Sequence, residues 1–280
     1  MASLRSIFKR VDNLLGKGVK ENIFFLHIPK CGGTSIRRAI RLNLLSLDVR
    51  KDRFFFDLDP GATARVVKMT KGTDYPHDAS SDYPIMKLRE NLLLYSMSQK
   101  RTRYISGHFT FSEIAHQRFS GDFSFVTLLR DPVKRWISTY FYNRYKDSDH
   151  FKVDLDIEQY LDSDFGRAQG AEYVKFIGGH QASGDYASAE AVERAKRNLH
   201  KFDIVGILED MDDFKDQFRK RFHASLNIPT INRNPKSETQ QKEVITPAVE
   251  ERIREICEPD REVYQYARDN FIRRAKRGPS

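Results

Sequence analysis

Three groups of residues in this 280-residue chain have the types and spacing for chemistry on an anion. The first is the run His27-Ile28-Pro29-Lys30-Cys31-Gly32-Gly33-Thr34-Ser35. A glycine turn that opens a helix presents backbone N–H groups with no partner inside the helix. The helix dipole adds positive potential there, so residues 32–35 make a cradle for a phosphate-like group. Lys30 precedes the glycines, whereas ATP- and GTP-binding loops place the lysine after them in G-x-x-x-x-G-K-[ST]. An unliganded tight turn is the competing reading of the run. The second group is Arg130 with Ser138: a planar guanidinium fork that can hold a phosphate through two bonds, and a hydroxyl one or two helical turns on. An Arg130–Asp131 pair and a packed Ser138 are the bland alternatives. The third group is histidine. His108 follows Gly107 and has an unperturbed pKa suited to a general base, although a lone histidine is more often structural. His27 reads as support for the loop, and Glu113 is a substitute base if His108 is remote. Cys31 is either a small packed residue or a thiol with a pKa lowered by the helix terminus.

The elements that must carry these residues are legible from periodicity. Asn22 to His27 is a short apolar run that predicts a buried strand, and Ser35 caps a helix expected over 36–47. Further strands are expected at 103–106, 123–129 and 202–208. Helices are expected at 133–145, with Pro132 in the first turn, and at 156–162, 165–177, 187–200, 211–222, 246–257 and 260–275. Asp156, Asp212 and Asp213 read as helix-start residues. Strands alternating with helices predict an α/β fold: one domain over residues 21–275, with a central, mainly parallel sheet flanked by helices. Residues 50–100 lack a clear period and contain Asp-Pro-Gly, Tyr-Pro-His-Asp and Ser-Ser-Asp-Tyr-Pro clusters. They are expected to form a long excursion, substrate-facing or partly ordered.

Composition narrows the class. With 39% hydrophobic, 31% charged and 12% aromatic residues, wholesale disorder and fibrous repeats are excluded. The formal charge is +9, of which residues 1–20 and residues 271–280 carry +4 each, so the body is nearly neutral and any anion site in it is local. Residues 1–20 space apolar side chains helically between basic ones. Docking on the chain's own core is the commoner fate of such a segment, and peripheral contact with an anionic membrane is the alternative. Two cysteines make no disulfide framework, and no Cys/His spacing suggests a metal site. No apolar run reaches the roughly 18–20 residues of a membrane span, and no secretory signal is evident. The expectation is a cytoplasmic protein.

The run from His27 to Ser35 resembles the 5′-phosphosulfate loop of sulfotransferases that use 3′-phosphoadenosine 5′-phosphosulfate (PAPS), in the group of the heparan sulfate and related carbohydrate O-sulfotransferases. Leu129-Arg130-Asp131-Pro132-Val133-Lys134-Arg135-Trp136-Ile137-Ser138-Thr139-Tyr140 resembles that family's 3′-phosphate motif. Fainter echoes lie at Tyr104–Phe109, Phe202–Glu209 and Asp260–Ala267, so the resemblance covers most of 22–270 but not 50–100. It implies a P-loop-like phosphosulfate-binding loop in which Lys30, Cys31, Gly32, Gly33, Thr34 and Ser35 hold the donor. It implies Arg130 and Ser138 on the 3′-phosphate, and Arg233, in the polar loop Asn232–Ser237, near the nucleotide. Lys30 would stabilise the leaving oxygen, His108 would be the base for in-line displacement, and no metal is required. The acceptor implied is a hydroxyl of a saccharide or small molecule. The animal carbohydrate enzymes are membrane-anchored Golgi proteins, and the lack of an evident anchor here favours a soluble acceptor. Two rivals are weaker. A nucleotide kinase would need the lysine after the glycines and a magnesium-binding carboxylate strand. A non-catalytic membrane or nucleic-acid binder would work through the basic termini, but the body contains no nucleic-acid-binding motif.

Overall fold

The computed structural model describes residues 19–44, 54–72, 82–147, 152–228 and 243–272. Five strands form one all-parallel sheet: β1 (Asn22–Leu26), β2 (Phe54–Asp57), β3 (Thr102–Gly107), β4 (Phe123–Leu129) and β5 (Ile204–Ile207). Their spatial order is β2-β3-β1-β4-β5. The α/β expectation holds, and the sheet is parallel throughout. Parallel strands must be covered on both faces, which is why β4, with the sequence FSFVTLL, is buried at every position.

Alternation along β1 divides the core. Phe24 and Leu26 face one layer, where Phe24 meets Phe109 and Phe125 edge-on at ring distances of 5.8 and 5.3 Å. That layer is built by α3 (Asp82–Ser98), α4 (Glu113–Phe119), α8 (Glu172–Gly178), α9 (Ala189–Leu199) and α12 (Glu258–Phe271). Ile23 and Phe25 face the other, where α1 (Gly33–Leu44) packs Ile36, Ala39, Ile40 and Leu44 beside Phe214, Phe218 and Phe222 of α10 (Met211–Phe222). Each buried aromatic or branched side chain contributes about 1.5–3 kcal/mol through area removed from water. A satellite core joins α5 (Pro132–Tyr145), α6 (Ile157–Asp162) and α11 (Pro247–Ile256) around Trp136, Tyr140 and Tyr160.

The segment 50–100 departs most from the sequence expectation. It supplies β2, the edge strand, as well as α2 (Pro60–Lys71) and α3. Two of the turn-like signals are helix starts, and the third, residues 75–78, lies outside the described residues. Asp59 accepts the Ala62 amide at 3.0 Å with Pro60 at the first helical position, and Pro84 lies in the first turn of α3, where its missing N–H breaks no bond. The single helix expected at 165–177 is instead α7 (Asp164–Ala168), a 3₁₀ turn at Gln169–Ala171, and α8. Gly170 lies so close to the Ile256 carbonyl that a Cβ would sit 2.0 Å from its oxygen, and the backbone breaks its helical course there. Asp156 caps α6, while Asp212 and Asp213 lie in the first turn of α10, as the sequence predicts.

Register brings the functional residues together. Leu26, the last residue of β1, pairs with Gly107 on one side and Thr127 on the other. The carboxyl ends of β1, β3 and β4 thus lie side by side, and residues 27–33, His108 and Arg130 leave the sheet at one rim. Strand order reverses about β1, the position where open α/β sheets form their ligand crevice.

Candidate functional site

The loop between β1 and α1 has a constrained backbone. Lys30 (φ 65°) and Gly32 (φ 75°) both lie in the left-handed region, an uncommon and costly conformation for a lysine. Gly33 is required for a different reason: a Cβ there would sit 1.9 Å from Cδ2 of His27. The His27 ring therefore lies against the helix start. No acidic residue occupies the first turn of α1, so the positive end of that helix is uncompensated by its own side chains.

Cations gather beside this turn. Arg130, just beyond β4, donates from Nη1 to the Lys30 carbonyl at 3.2 Å. No carboxylate among the described residues comes within ion-pair range of Arg130 or Lys30, so the Arg130–Asp131 pair does not form. Asp131 instead caps α5 by accepting the Lys134 amide at 2.9 Å. Lys30 Nζ lies 3.8 Å from the centroid of the Tyr142 ring, and Lys146 reaches the same ring at 5.4 Å. Burial, reinforced by the charges of Arg130 and Lys146, pulls the Lys30 ammonium down to about 8. Ser138 is buried on α5 one turn before Tyr142, on the same helical side. Clustered cations beside an open helix start form a donor set that fits a doubly charged anion such as a phosphosulfate.

His108 stands next to the cradle. Its Nδ1 lies 2.7 Å from the His27 carbonyl, and its ring centroid is 4.7 Å from that of His27. A carbonyl only accepts, so Nδ1 carries the proton and Nε2 keeps the lone pair. Burial pushes the His108 pKa down to about 4, against the pull of the hydrogen bond to His27. The imidazole is thus neutral and basic at Nε2 at any pH near 7. Buried Arg89, from α3, donates to the His108 carbonyl at 3.0 Å and fixes that turn from behind. Burial also pushes the His27 pKa well below its ordinary value. The His27 amide extends the ladder to the Gly107 carbonyl at 3.0 Å.

Of the residues singled out from sequence, Lys30, Gly32, Gly33, Thr34, Ser35, Arg130, Ser138 and His108 share this rim. Cys31 is in the loop, but its thiol points inward to the Tyr173 hydroxyl at 3.5 Å, and burial raises it to about 11, opposite to an activated thiol. Glu113 pairs with Lys201 on the exposed side of α4. Arg233 and most of the basic segment 1–20 lie outside the described residues. Sequence reasoning missed Tyr142, one turn after Ser138 on α5, and Lys146, the residue that ends that helix. It also missed Tyr173, whose partners are distant in the chain.

A parallel sheet with a glycine turn after β1, its lysine ahead of the glycines, and an arginine after β4 is an α/β arrangement distinct from that of the ATP-loop proteins. The model of the sulfotransferase family matches residues 19–267, and the chain belongs to that family. The match includes the segment 50–100, which the motif resemblance had left out. The chain is 24% identical to uronyl 2-sulfotransferase of Mus musculus and 23% identical to that of Homo sapiens, over 89% of this chain and 62% of each relative. It therefore spans less than two thirds of the length of these curated relatives. Both are carbohydrate sulfotransferases by name, in keeping with the motif resemblance. No helix among the described residues is long and apolar enough to cross a membrane.

Proposed function

We propose that this sulfotransferase takes its sulfuryl group from PAPS and transfers it, by in-line displacement, to a hydroxyl of a saccharide. The observation that carries the reading is the adjacency of a cationic cradle and a neutral, tautomerically fixed histidine. His27 touches both, with its ring on Gly33 and its carbonyl on His108 Nδ1. Residues 32–35 and Lys30 suit the phosphosulfate, while Arg130 and Ser138 suit the 3′-phosphate. When bound, the nucleotide supplies an activated sulfuryl group and a bisphosphate leaving group. Lys30 holds positive charge where negative charge grows, which is the main service a protein renders such a transfer. His108 Nε2 takes the proton of the acceptor hydroxyl as its oxygen bonds to sulfur. The relatives' name, uronyl 2-sulfotransferase, supports a saccharide acceptor.

Titration calorimetry tests the donor: adenosine 3′,5′-bisphosphate binds and magnesium–ATP does not. Tight ATP binding with no response to the bisphosphate would overturn the assignment. Incubation with labelled PAPS and a panel of neutral and uronic-acid saccharides then identifies the acceptor. Labelling of none of them, with labelling of a non-sugar alcohol, would move the acceptor class.

A further inference from the structure

The two anion-binding elements are joined from below by one phenol. Tyr173, in the first turn of α8, is fully buried. Its oxygen accepts the Arg130 amide at 3.0 Å, its proton goes to the Arg130 carbonyl, and Cys31 Sγ lies 3.5 Å away. One hydroxyl thus grips the strand end that carries Arg130 while touching the loop that carries Lys30. The phenol is itself held in place. Asp260, at the start of α12, accepts the Tyr173 and Val174 amides at 2.7 and 3.1 Å, and its other oxygen faces Arg135 of α5 at 3.8 Å. Arg135 and Asp260 are both 0% exposed, so the ring of polar groups is closed to water.

We propose that Tyr173 is a positioning residue that sets the separation of the phosphosulfate loop from the 3′-phosphate arginine through its hydroxyl. Tyr173 touches no ligand in this role. It acts by fixing Arg130 relative to Lys30 and Cys31, so its effect falls on ligands that span both subsites. This rests on the reading of PAPS as donor. A ligand with a single anionic group can follow whichever subsite moves, but a bisphosphate has to satisfy both at once.

The test compares the Kd values of adenosine 3′,5′-bisphosphate and adenosine 5′-monophosphate, by calorimetry, for the full chain and for Tyr173→Phe. The unmodified chain prefers the bisphosphate. Absence of that preference would overturn the donor assignment itself. In Tyr173→Phe the bisphosphate weakens by roughly tenfold, the effect of about one lost hydrogen bond, while the monophosphate changes less than about twofold. The KM for PAPS rises in parallel, with kcat within about threefold. An unchanged ratio of the two Kd values, or equal weakening of both ligands, overturns the positioning role while leaving the donor assignment standing. If Tyr173→Phe does not fold, 3-fluorotyrosine at position 173, with nearly the same volume and a poorer acceptor oxygen, replaces it. The same Kd ratio decides.

Discussion

Arg130 and Arg135 belong to one short run, yet they end in opposite environments. Arg130 stands at the rim with Lys30 and Lys146, without a carboxylate partner among the described residues, and cooperates in lowering the lysine pKa to about 8. Arg135, one helical turn on, is sealed in the ring beneath, facing Asp260 at 3.8 Å and donating to the Gln169 carbonyl. A cation held among cations raises the cost of its own charge and is suited to receive an anion. A cation matched to a buried carboxylate is internally compensated and serves the fold. The difference separates a rim cation from a buried scaffolding cation within one short run.

Four experiments break or sharpen that contrast. The largest effect is expected at the rim: His108→Ala lowers kcat by about 10²–10⁴-fold, the usual worth of a positioned base. Donor affinity changes little, which steady-state kinetics with varied PAPS checks, and full activity would move the base elsewhere. In the ring, Arg135→Leu removes the guanidinium that bonds the Gln169 carbonyl and faces Asp260, whose carboxyl burial already raises to about 8. The change costs about 1–3 kcal/mol of stability, measured by urea unfolding. The folded fraction still binds the bisphosphate; a stable but non-binding variant would blur the distinction. Lys30→Ala reduces kcat by about 10²–10³-fold. Its melting temperature is unchanged or higher, because a like-charge repulsion is removed.

The smallest effect is in the pH profile. Because Lys30 in the free enzyme titrates at about 8, kcat/KM for the donor falls as pH rises through 8, roughly tenfold per unit well above it. Lys30→Arg moves that limb beyond the accessible range. His108, with a pKa near 4, stays unprotonated well below pH 6.5, so kcat/KM is flat from 5.5 to 7.5. An acid limb between 6 and 7 would show that the working base is an ordinary, solvated histidine.

Much of the rim was readable because its signals are local. The glycine turn and the arginine after an apolar strand lie in two short runs, and β4 was located to the residue, whereas Ser35, expected to cap α1, lies within its first turn because the helix already begins at Gly33. Within 50–100 the start of α2 was not legible, because Asp-Pro-Gly serves a turn and a helix cap equally well. β2, only four residues long, acquires its identity by pairing with β3. Tyr173 carried no signal, since its partners Cys31, Arg130, Arg135 and, through the backbone, Asp260 all lie far away in the chain.

The amino-acid sequence by itself determined the strand–loop–helix turn, its lysine ahead of the glycines and the arginine just beyond a second strand, because these depend on residue type and short-range spacing. Only the tertiary structure decided which arginine stands at the rim and which is sealed beneath it, why Lys30 titrates low and why His108 is neutral with its lone pair on Nε2. Those properties come from burial and from partners on other elements. Desolvation and hydrogen bonding between distant residues have no one-dimensional signature.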